Sequence, residues 1–534
     1  MRPLVRTILT AAALLPALVA TQPVSAKSDN SISLVPLGVY RTFLFDEGAV
    51  EISAYDPLTK RAFVTLAGQP RVEGISLADP NNPTLALTID LAPWGGLGAH
   101  ATSVAVRDGV LAIAVPQGAE DTGPGKVLFF DTYGTFLSAV TVGALPDMLT
   151  FTPDGAFVLT ANEGQPMGDY SFDPEGSVSI IDMSAGAASL TDADVTTAGF
   201  TDFNSTPIDP RIRVYGPGAT VAQDLEPEYI AVSHDSKTAW VTLQENNALA
   251  ILDLKQKKVT SLVSLGFKDH SIAGHGLDGG RDDGGNKIKT WPVLGMYQPD
   301  AIATFTDKDQ TFLVTANEGD VREYAGLNAA GIEAVEIEDI ALDPVAFPDA
   351  AIIKSRPLGI GRLKVTSFNG DTDGDGDYDE LYPFGARSFS IWTGQGALVF
   401  DSGEALEQIT AAAHPAHFNA SNTNNTRDDR SDDKGPEPEG VIVGKLFGRN
   451  YLFVMLERIG GIALFDLTNP AAPQFEQYLN TRSFAAAPNS VAAGDLGPEA
   501  ARVIPEDASP TGTPLLIVSN EVSGTLRVFE IRKN

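Results

Sequence analysis

The 534-residue chain contains no cysteine, and this absence excludes several structures and chemistries at once. Disulfide bonds, thiol catalysis and cysteine-ligated zinc all require that residue, so an exported chain of this composition must draw its stability from its core. The core can be sizeable, because 43% of the residues are apolar.

Basic residues are scarce, since 37 Lys and Arg stand against 69 Asp and Glu and give a formal charge of −32. A surface of that sign repels nucleic acid and anionic membranes and attracts cations. We therefore expect divalent cations as partners and no nucleic acid. Solubility alone is the alternative explanation for the charge.

The sequence also lacks an uninterrupted apolar run of about 20 residues, the length that a membrane-spanning helix needs. A shorter apolar stretch at 8–20 follows Arg2 and Arg6 and leads to a small-residue cleavage site. This order is typical of a secretory signal peptide over residues 1–26, so we expect the mature chain to begin near Lys27. The protein is then secreted or periplasmic, without membrane insertion, and its formal charge becomes −34 when the two arginines are removed.

One sequence unit recurs along the chain. It has a Pro-acid opening, a β-rich run, a turn, a second run that ends in a polar-acidic pair, and a third run that ends near Asp; residues 146–182 hold the clearest copy. The third runs begin at Gly74, Leu128, Ser179, Ala250, Ser390, Ala463 and Arg527. The first runs begin near Glu51, Ser103, Asp147, Glu228, Asp300, Glu439 and Glu499. Both counts give seven units.

Short β runs, β-branched and aromatic residues and frequent turns indicate four-stranded blades around an axis. We therefore predict an all-β, seven-bladed β-propeller that occupies residues 27–534 as a single domain, with long loop insertions on one face. Eight blades and two separate β-sandwiches are the alternatives. The run at 34–45 precedes the first blade, and we expect it to pair with the last blade so that no sheet edge stays bare.

Acidic residues recur at two points of the unit, the start of the first run and the end of the second. Antiparallel strands place these two points on the same face of a propeller. The pairs are Asp147 with Glu163, Glu228 with Glu245, Asp300 with Glu318, Glu439 with Glu457, and Glu499 with Glu521. Ten carboxylates at one acidic mouth raise each other's pKa unless a cation neutralises them. The alternative is that each acid caps a turn in its own blade.

Long insertions fall in loops on the same predicted face. They span 164–177, 266–299, 320–387 and 402–438. Within them and beside them, Arg281, Arg322 and Arg458 could neutralise part of the acidic mouth. Arg322 and Arg458 are also the candidates for binding an anion.

The most specific local motif is an aspartate-rich stretch at 369–380. Set against the twelve-residue calcium loop, its ligand positions hold Asn369, Asp371, Asp373, Asp375, Asp377 and Glu380. A register that starts at Asp371 also fits in its first half but places Tyr382 where a carboxylate is needed, so we prefer the first. We expect calcium to order the insertion at about 320–387 in blade five. A solvated acidic turn is the alternative.

The sequence carries few other motifs that indicate a metal site or a catalytic reaction. His414 and His417 have metal-like spacing, but Pro415 breaks the helix that would align them, which favours a surface loop. The sequence shows no nucleophile elbow, phosphate-binding loop or dinucleotide fingerprint. Catalytic residues therefore stay unknown.

Several segments resemble the choice-of-anchor I family, which is similar to the mesenchyme-specific cell surface glycoproteins. The resemblance rests on residues 145–163, 173–182, 291–300, 314–320, 382–392, 432–440 and 456–461. It implies a propeller of the YVTN/WD40-like class in an extracellular setting. Some relatives carry an alkaline phosphatase label, but the resemblance identifies no catalytic residue.

Three functions remain open from the sequence. The leading hypothesis is a secreted calcium-binding β-propeller of the cell surface or extracellular matrix, which binds cations or a cell-surface partner at its acidic mouth. The second is a calcium-dependent, alkaline phosphatase-like phosphomonoesterase whose ions clamp a phosphorylated small molecule and activate water. The third is a protein-interaction platform that binds calcium only at 369–380.

Overall fold

A computed structural model describes residues 31–46, 48–96, 98–281 and 283–534. The predicted signal peptide and its cleavage site lie outside these ranges. Seven four-stranded antiparallel sheets follow one another along the chain. The innermost strand of each sheet contacts that of the next, and the seventh contacts the first, so the sheets form a closed ring. The prediction of a seven-bladed β-propeller is confirmed.

Each blade consists of four strands, which are numbered after the N-terminal strand β1 (Ile32–Arg41). Blade one contains β2 (Ala49–Asp56), β3 (Arg61–Leu66), β4 (Arg71–Ser76) and β5 (Thr84–Asp90). Blade two contains β6 (Ser103–Arg107), β7 (Val110–Gln117), β8 (Gly123–Asp131) and β9 (Phe136–Ala144). Blade three contains β10 (Pro146–Phe151), β11 (Phe157–Asn162), β12 (Ser177–Asp182) and β13 (Val195–Gly199). Blade four contains β14 (Pro227–Val232), β15 (Thr238–Leu243), β16 (Ala248–Asp253) and β17 (Lys258–Ser264).

Two small hairpins lie outside the four-stranded sheets. The first, between blades four and five in the chain, pairs β18 (Phe267–Asp269) with β19 (Leu294–Met296). Blade five contains β20 (Ile302–Asp307), β21 (Gln310–Asn317), β24 (Ser388–Thr393) and β25 (Leu398–Asp401). The second hairpin, β22 (Ala334–Glu336) with β23 (Lys364–Thr366), lies between the second and third strands of that blade. Blade six contains β26 (Pro438–Leu446), β27 (Arg449–Leu456), β28 (Ile462–Asp466) and β29 (Gln474–Leu479). Blade seven contains β30 (Pro498–Ile504), β31 (Leu515–Asn520), β32 (Thr525–Lys533) and β1.

Helices are short and occur between strands. The α-helices are α1 (Ala92–Gly95), α2 (Val221–Asp224), α3 (Ala350–Ile353) and α4 (Ala405–Ala413). Short 3₁₀ turns span Ala119–Asp121, Met183–Ala185, Ala187–Ser189, Asp192–Asp194, Thr201–Asn204, Ile337–Asp339 and Val491–Ala493. Among the described residues, no helix has both the length and the hydropathy that crossing a membrane requires.

The second strand of each blade is almost wholly buried, as β11 and β31 illustrate. Both faces of such a strand contact neighbouring blades, so its sequence reads as a nearly continuous apolar run. The core lies between blades, for example where Phe63 of blade one packs with Leu111 and Phe130 of blade two. The outermost strands are more exposed, and most of β5 faces solvent, which explains why the fourth strands are faint in the sequence.

Blade seven joins the two ends of the chain. Strand β1 pairs antiparallel with β32 in a register that sets Ile32 opposite Lys533 and Tyr40 opposite Leu526. This confirms the predicted pairing of the N-terminal run with the last blade. Closure gives β32 a partner on both sides, so the ring has no open seam there.

Long insertions pack together over one face of the ring. We call this layer the cap and define it as residues 200–226, 265–299, 318–387 and 402–437. Its interior holds an apolar cluster of its own, which includes Trp291, Ile337 and Phe347. Every cap segment follows a strand that runs toward the same face, because strands alternate in direction within a blade.

Candidate metal centre

A β-bulge re-aims the first acid of several blades. In β10, β14, β26 and β30 the pairing with the second strand skips one or two residues directly after the opening proline. The skipped residues include Asp147, Glu228, Glu439 and Glu499. A bulged residue leaves the hydrogen-bonded ladder and twists the strand, so these carboxylates can turn toward the central channel.

The second acid of each pair follows the end of the second strand and is held beside the bulge by the main chain. The Glu163 N–H donates to the carbonyl oxygen of Leu145 at 2.8 Å, and the Glu521 N–H donates to that of Gly497 at 2.8 Å. Each bond joins the loop that carries the second acid to the residue two places before the first acid. The repeat itself thus brings both carboxylates to one end of the blade.

The structure brings the predicted carboxylates together around one opening of the channel. Three groups have carboxylate oxygens within 4.8 Å of one another: Glu163 with Glu226 and Glu245, Asp300 with Glu439 and Glu499, and Glu318 with Glu439 and Glu457. A cavity of about 180 Å³, which we call the acidic chamber, is lined by Glu51, Asp147, Glu163, Glu228, Glu245, Asp300, Asp320 and Glu499. Glu521 interacts electrostatically with Glu318 and Glu499 at the same opening.

Burial and neighbouring negative charges disfavour the ionised form of these acids. Burial, with added repulsion from Asp147 and Glu521, raises the pKa of Glu51 to about 8. Burial and then the charge of Glu245 raise the pKa of Asp147 to about 6. Burial and then Glu245 also raise the pKa of Glu228 well above its ordinary value. Across the chamber, the pKa of each acid depends on acids of other blades.

At the mouth, four buried carboxylate oxygens have no hydrogen-bond partner among the described residues. They are the Oε2 atoms of Glu226, Glu228, Glu245 and Glu439. An orphaned buried acceptor costs about 1–3 kcal/mol, and more when it is charged. The chamber therefore holds more acceptor capacity than the protein itself satisfies.

Two basic side chains neutralise the part of the mouth that belongs to blades five and six. Arg458 pairs with Glu437 at 2.9 Å and with Glu457 at 3.0 Å. Lys434, which the sequence analysis missed, contacts Glu318 and lies 3.2 Å from Glu437. The predicted role of Arg458 beside the acids thus agrees with its position.

The other two arginines are placed differently from expectation. Arg322 lies 2.7 Å from Asp224 and 3.0 Å from Glu226, and only 1% of its side chain is exposed. It compensates one side of the chamber, and both of its terminal nitrogens already have carboxylate partners, so anion binding by Arg322 stays a prediction. Arg281 pairs with Asp429 at 2.5 Å in the cap and forms no ion pair with the ten predicted acids, all of which are described.

The aspartate-rich loop adopts a geometry that differs from the preferred register at both ends. The Asn369 Oδ1 accepts a hydrogen bond from Arg213 at 3.2 Å, and Glu380 accepts one from the Tyr382 hydroxyl. The ring of Tyr382 packs 4.6 Å from that of Phe267. Both end positions of the preferred register thus have protein partners, and their assignment as the first and twelfth ligands stays a prediction.

Carboxylates of the register that starts at Asp371 come together instead. Asp371 and Asp373 lie within 4.8 Å of Asp379, and Asp379 and Asp377 lie within the same distance of Asp343. Asp379 is the ninth position of that register, and Asp343 comes from outside the loop. Asp375, a ligand in the predicted set, belongs to neither group.

Four acids of the mouth were missed, Glu51, Glu226, Asp320 and Glu437, although the sequence carries signals for three of them. Glu226 and Glu437 each stand two residues before a predicted first acid, in Glu-Pro-Glu triplets of blades four and six. Glu51 opens β2 as the other first acids open their strands, but blade one has no acid at the end of β3, so a search for pairs leaves it out.

Comparison with known proteins gives a consistent result across most of the chain. A sequence model described as the choice-of-anchor I domain matches residues 51–470. Gigasin-3a of Magallana gigas is 31% identical over 185 residues, which cover 32% of this chain and 65% of that protein. The mesenchyme-specific cell surface glycoprotein of Strongylocentrotus purpuratus is 28% identical over 280 residues, which cover 46% of this chain and 35% of that protein. The matches thus span less than two thirds of either relative.

Among solved structures, a chain of the Kuenenia stuttgartiensis hydrazine synthase aligns with a TM-score of 0.43 and 11% sequence identity. The alignment covers 91% of this chain and 96% of that one.

Proposed function

Because the chain belongs to the choice-of-anchor I family, as the resemblance of its segments implied, we propose that it is a calcium-binding β-propeller of the cell surface or extracellular matrix. The cell surface glycoprotein among its relatives supports the extracellular setting. The predicted export signal points the same way. Cation binding itself is argued from the acidic chamber.

The observation that carries the proposal is the grouping of carboxylate oxygens within 4.8 Å of one another around the channel. A calcium ion takes six to eight oxygens at roughly 2.4 Å, so two of its ligands lie at most about 4.8 Å apart. Each of the three groups meets that limit. The orphaned oxygens of Glu245 and Glu439 supply acceptors that no protein donor uses among the described residues.

The donor set favours calcium over other divalent ions. The three groups consist of carboxylates alone, which excludes the imidazole and thiolate ligands that zinc and copper prefer. Acids from separate blades form an irregular arrangement, and calcium tolerates irregular geometry better than magnesium does. Lys434 and Arg458 offset only the part of the negative charge nearest blades five and six.

The aspartate-rich loop would be a second calcium site of a different kind. Asp371, Asp373 and Asp379 would provide its ligands, with Asp343 and Asp377 on the other side of Asp379. The loop is exposed, and it lies at the edge of the insertion in blade five. Calcium there would tie the loop to the residues around Asp343.

Calorimetric titration of calcium into the full chain, after treatment with a chelator, tests both sites. Glu245→Gln should weaken binding at the mouth at least tenfold, because it removes a charged ligand from the group that Glu245 forms with Glu163 and Glu226. Asp373→Asn should abolish only the loop site, and Glu506→Gln, at an exposed acid beyond the end of β30, should change neither.

A titration in which only Asp373→Asn has an effect would contradict cation binding at the mouth and would favour the protein-interaction platform. No contact among the described residues supports the phosphatase hypothesis, because the two terminal nitrogens of Arg322 are already paired with carboxylates.

A further inference from the structure

The central channel continues beyond the acidic chamber into a second cavity of about 410 Å³. Ile52, Met148 and Tyr229 line both cavities, and each directly follows the first acid of its blade. They therefore mark the boundary between the two. We call the second cavity the lower chamber; it is enclosed by the innermost strands of six blades.

Arg502 distinguishes the lower chamber from the acidic one. It lies on β30, three residues after Glu499, or about 10 Å farther along the channel at the rise of a β-strand. The residues three places after the first acid in blades one, three and six are Ala54, Thr150 and Ile442, which also line this cavity. These side chains are uncharged, so Arg502 is the charged residue at this level of the lining.

No described residue forms a hydrogen bond or an ion pair with the guanidinium of Arg502. Buried arginines of the cap have carboxylate partners, as Arg213 has Glu333 and Arg387 has Glu407. The side chain of Arg502 is instead exposed to the lower chamber. An arginine stays charged at neutral pH, so this guanidinium presents an uncompensated positive charge to the cavity.

We propose that the lower chamber binds a small oxyanion, a carboxylate or a phosphate group, on the guanidinium of Arg502. The planar fork of arginine matches two oxygens of either group. Tyr229 lines the same cavity and interacts electrostatically with Arg502, so its hydroxyl is placed to donate a further hydrogen bond. Arg107 also lines the cavity, but it is paired with Asp108 at 3.3 Å, which leaves Arg502 as the cation that an anion would meet.

The direction of entry follows from the charges. Glu499, Asp147 and Asp300 act on Tyr229 from the acidic side, so an anion is repelled at that mouth. It would enter from the opposite opening of the ring, where β30 ends at Ile504 and the lower chamber extends to Pro153. This proposal does not depend on calcium binding.

Titration of the full chain with potassium phosphate and, separately, potassium acetate tests the site. Both titrations are followed by calorimetry and thermal unfolding, with chelator present and ionic strength held constant with KCl. We expect saturable binding of at least one anion and a rise in unfolding temperature, since a ligand that binds only the folded state stabilises it. The two titrations identify which oxyanion is preferred.

The variants locate the binding. Arg502→Gln should weaken anion binding at least tenfold and remove the thermal shift. Arg502→Lys should weaken it about threefold to tenfold, because an ammonium lacks the two-pronged geometry of a guanidinium. Arg211→Gln is the control, because Arg211 is exposed elsewhere on the surface, and it should change neither quantity. Absence of saturable binding by the unaltered chain, or equal binding by Arg502→Gln, overturns the proposal. Should Arg502→Gln not fold, Arg502→Lys decides, and unchanged affinity in that variant overturns it.

Discussion

Glu51 gives the sharpest test of the charge state of the acidic chamber. Burial and two neighbouring acids raise its pKa in the folded chain to about 8, from an ordinary value of 4.5. Between these two values the folded chain holds a proton that the unfolded chain has released. Stability therefore decreases as pH rises through this window, because the folded state binds more protons than the unfolded state.

The size of the effect follows from the shift. A difference of 3.5 between the two pKa values corresponds to about 5 kcal/mol once the pH exceeds 8. Partial exposure of Glu51 and protonation of its neighbours reduce this figure, and we expect about 2 kcal/mol. Glu51→Gln holds the position neutral at every pH. It should leave stability unchanged at pH 5 and increase it by about 2 kcal/mol at pH 8, in the absence of calcium.

Equilibrium unfolding in urea, followed by tryptophan fluorescence in chelator, measures this difference at both pH values. Glu506→Gln provides the control, because Glu506 is exposed and lies beyond the opposite end of β30. Saturating calcium should reduce the difference at pH 8, since bound ions offset the repulsion that raises the pKa of Glu51. A Glu51→Gln variant that is equally destabilised at pH 5 and pH 8 without calcium would refute the reasoning.

Two further predictions concern the cap and the ring. Glu333→Gln leaves the buried guanidinium of Arg213 without its carboxylate, so the free energy of unfolding in urea should fall by about 3–5 kcal/mol. A loss below about 1 kcal/mol would mean that this ion pair does not stabilise the cap. Deletion of 31–41 removes β1 and exposes the edge of β32, so light scattering should show association and the unfolding transition should broaden. A deleted chain that stays monomeric with an unchanged transition would show that β1 does not close the ring.

The number and order of blades could be predicted because the repeat is local. Most units mark the start of their inner strand with a proline, as at Pro146, which has no N–H to donate and so suits the first residue of a strand. The second run of the unit, such as β11, is almost wholly buried and reads as apolar. The bulge at Asp147 could not be counted from the sequence, yet it is the feature that turns the acid inward.

The cap and its ion pairs could not be predicted because their contacts are distant in sequence. Arg213 meets Glu333 across 120 residues, and no periodicity links the two positions. Spacing alone also leaves part of the aspartate-rich loop out of view. Asp343 lies within 4.8 Å of Asp377 and Asp379, and a template of ligand positions contains no residue from outside the motif.

The closed ring explains how so many acids can share one mouth. The acids come from several blades, so their mutual repulsion is distributed around the ring and not confined to a single strand pair. The pKa of Asp300, for example, is raised by burial, by Glu318 of its own blade, and then by Asp147 and Glu51 from elsewhere in the ring. A cation that neutralises one group therefore lowers the pKa of acids in others. Binding at the mouth should thus couple the blades, and proton release should accompany it.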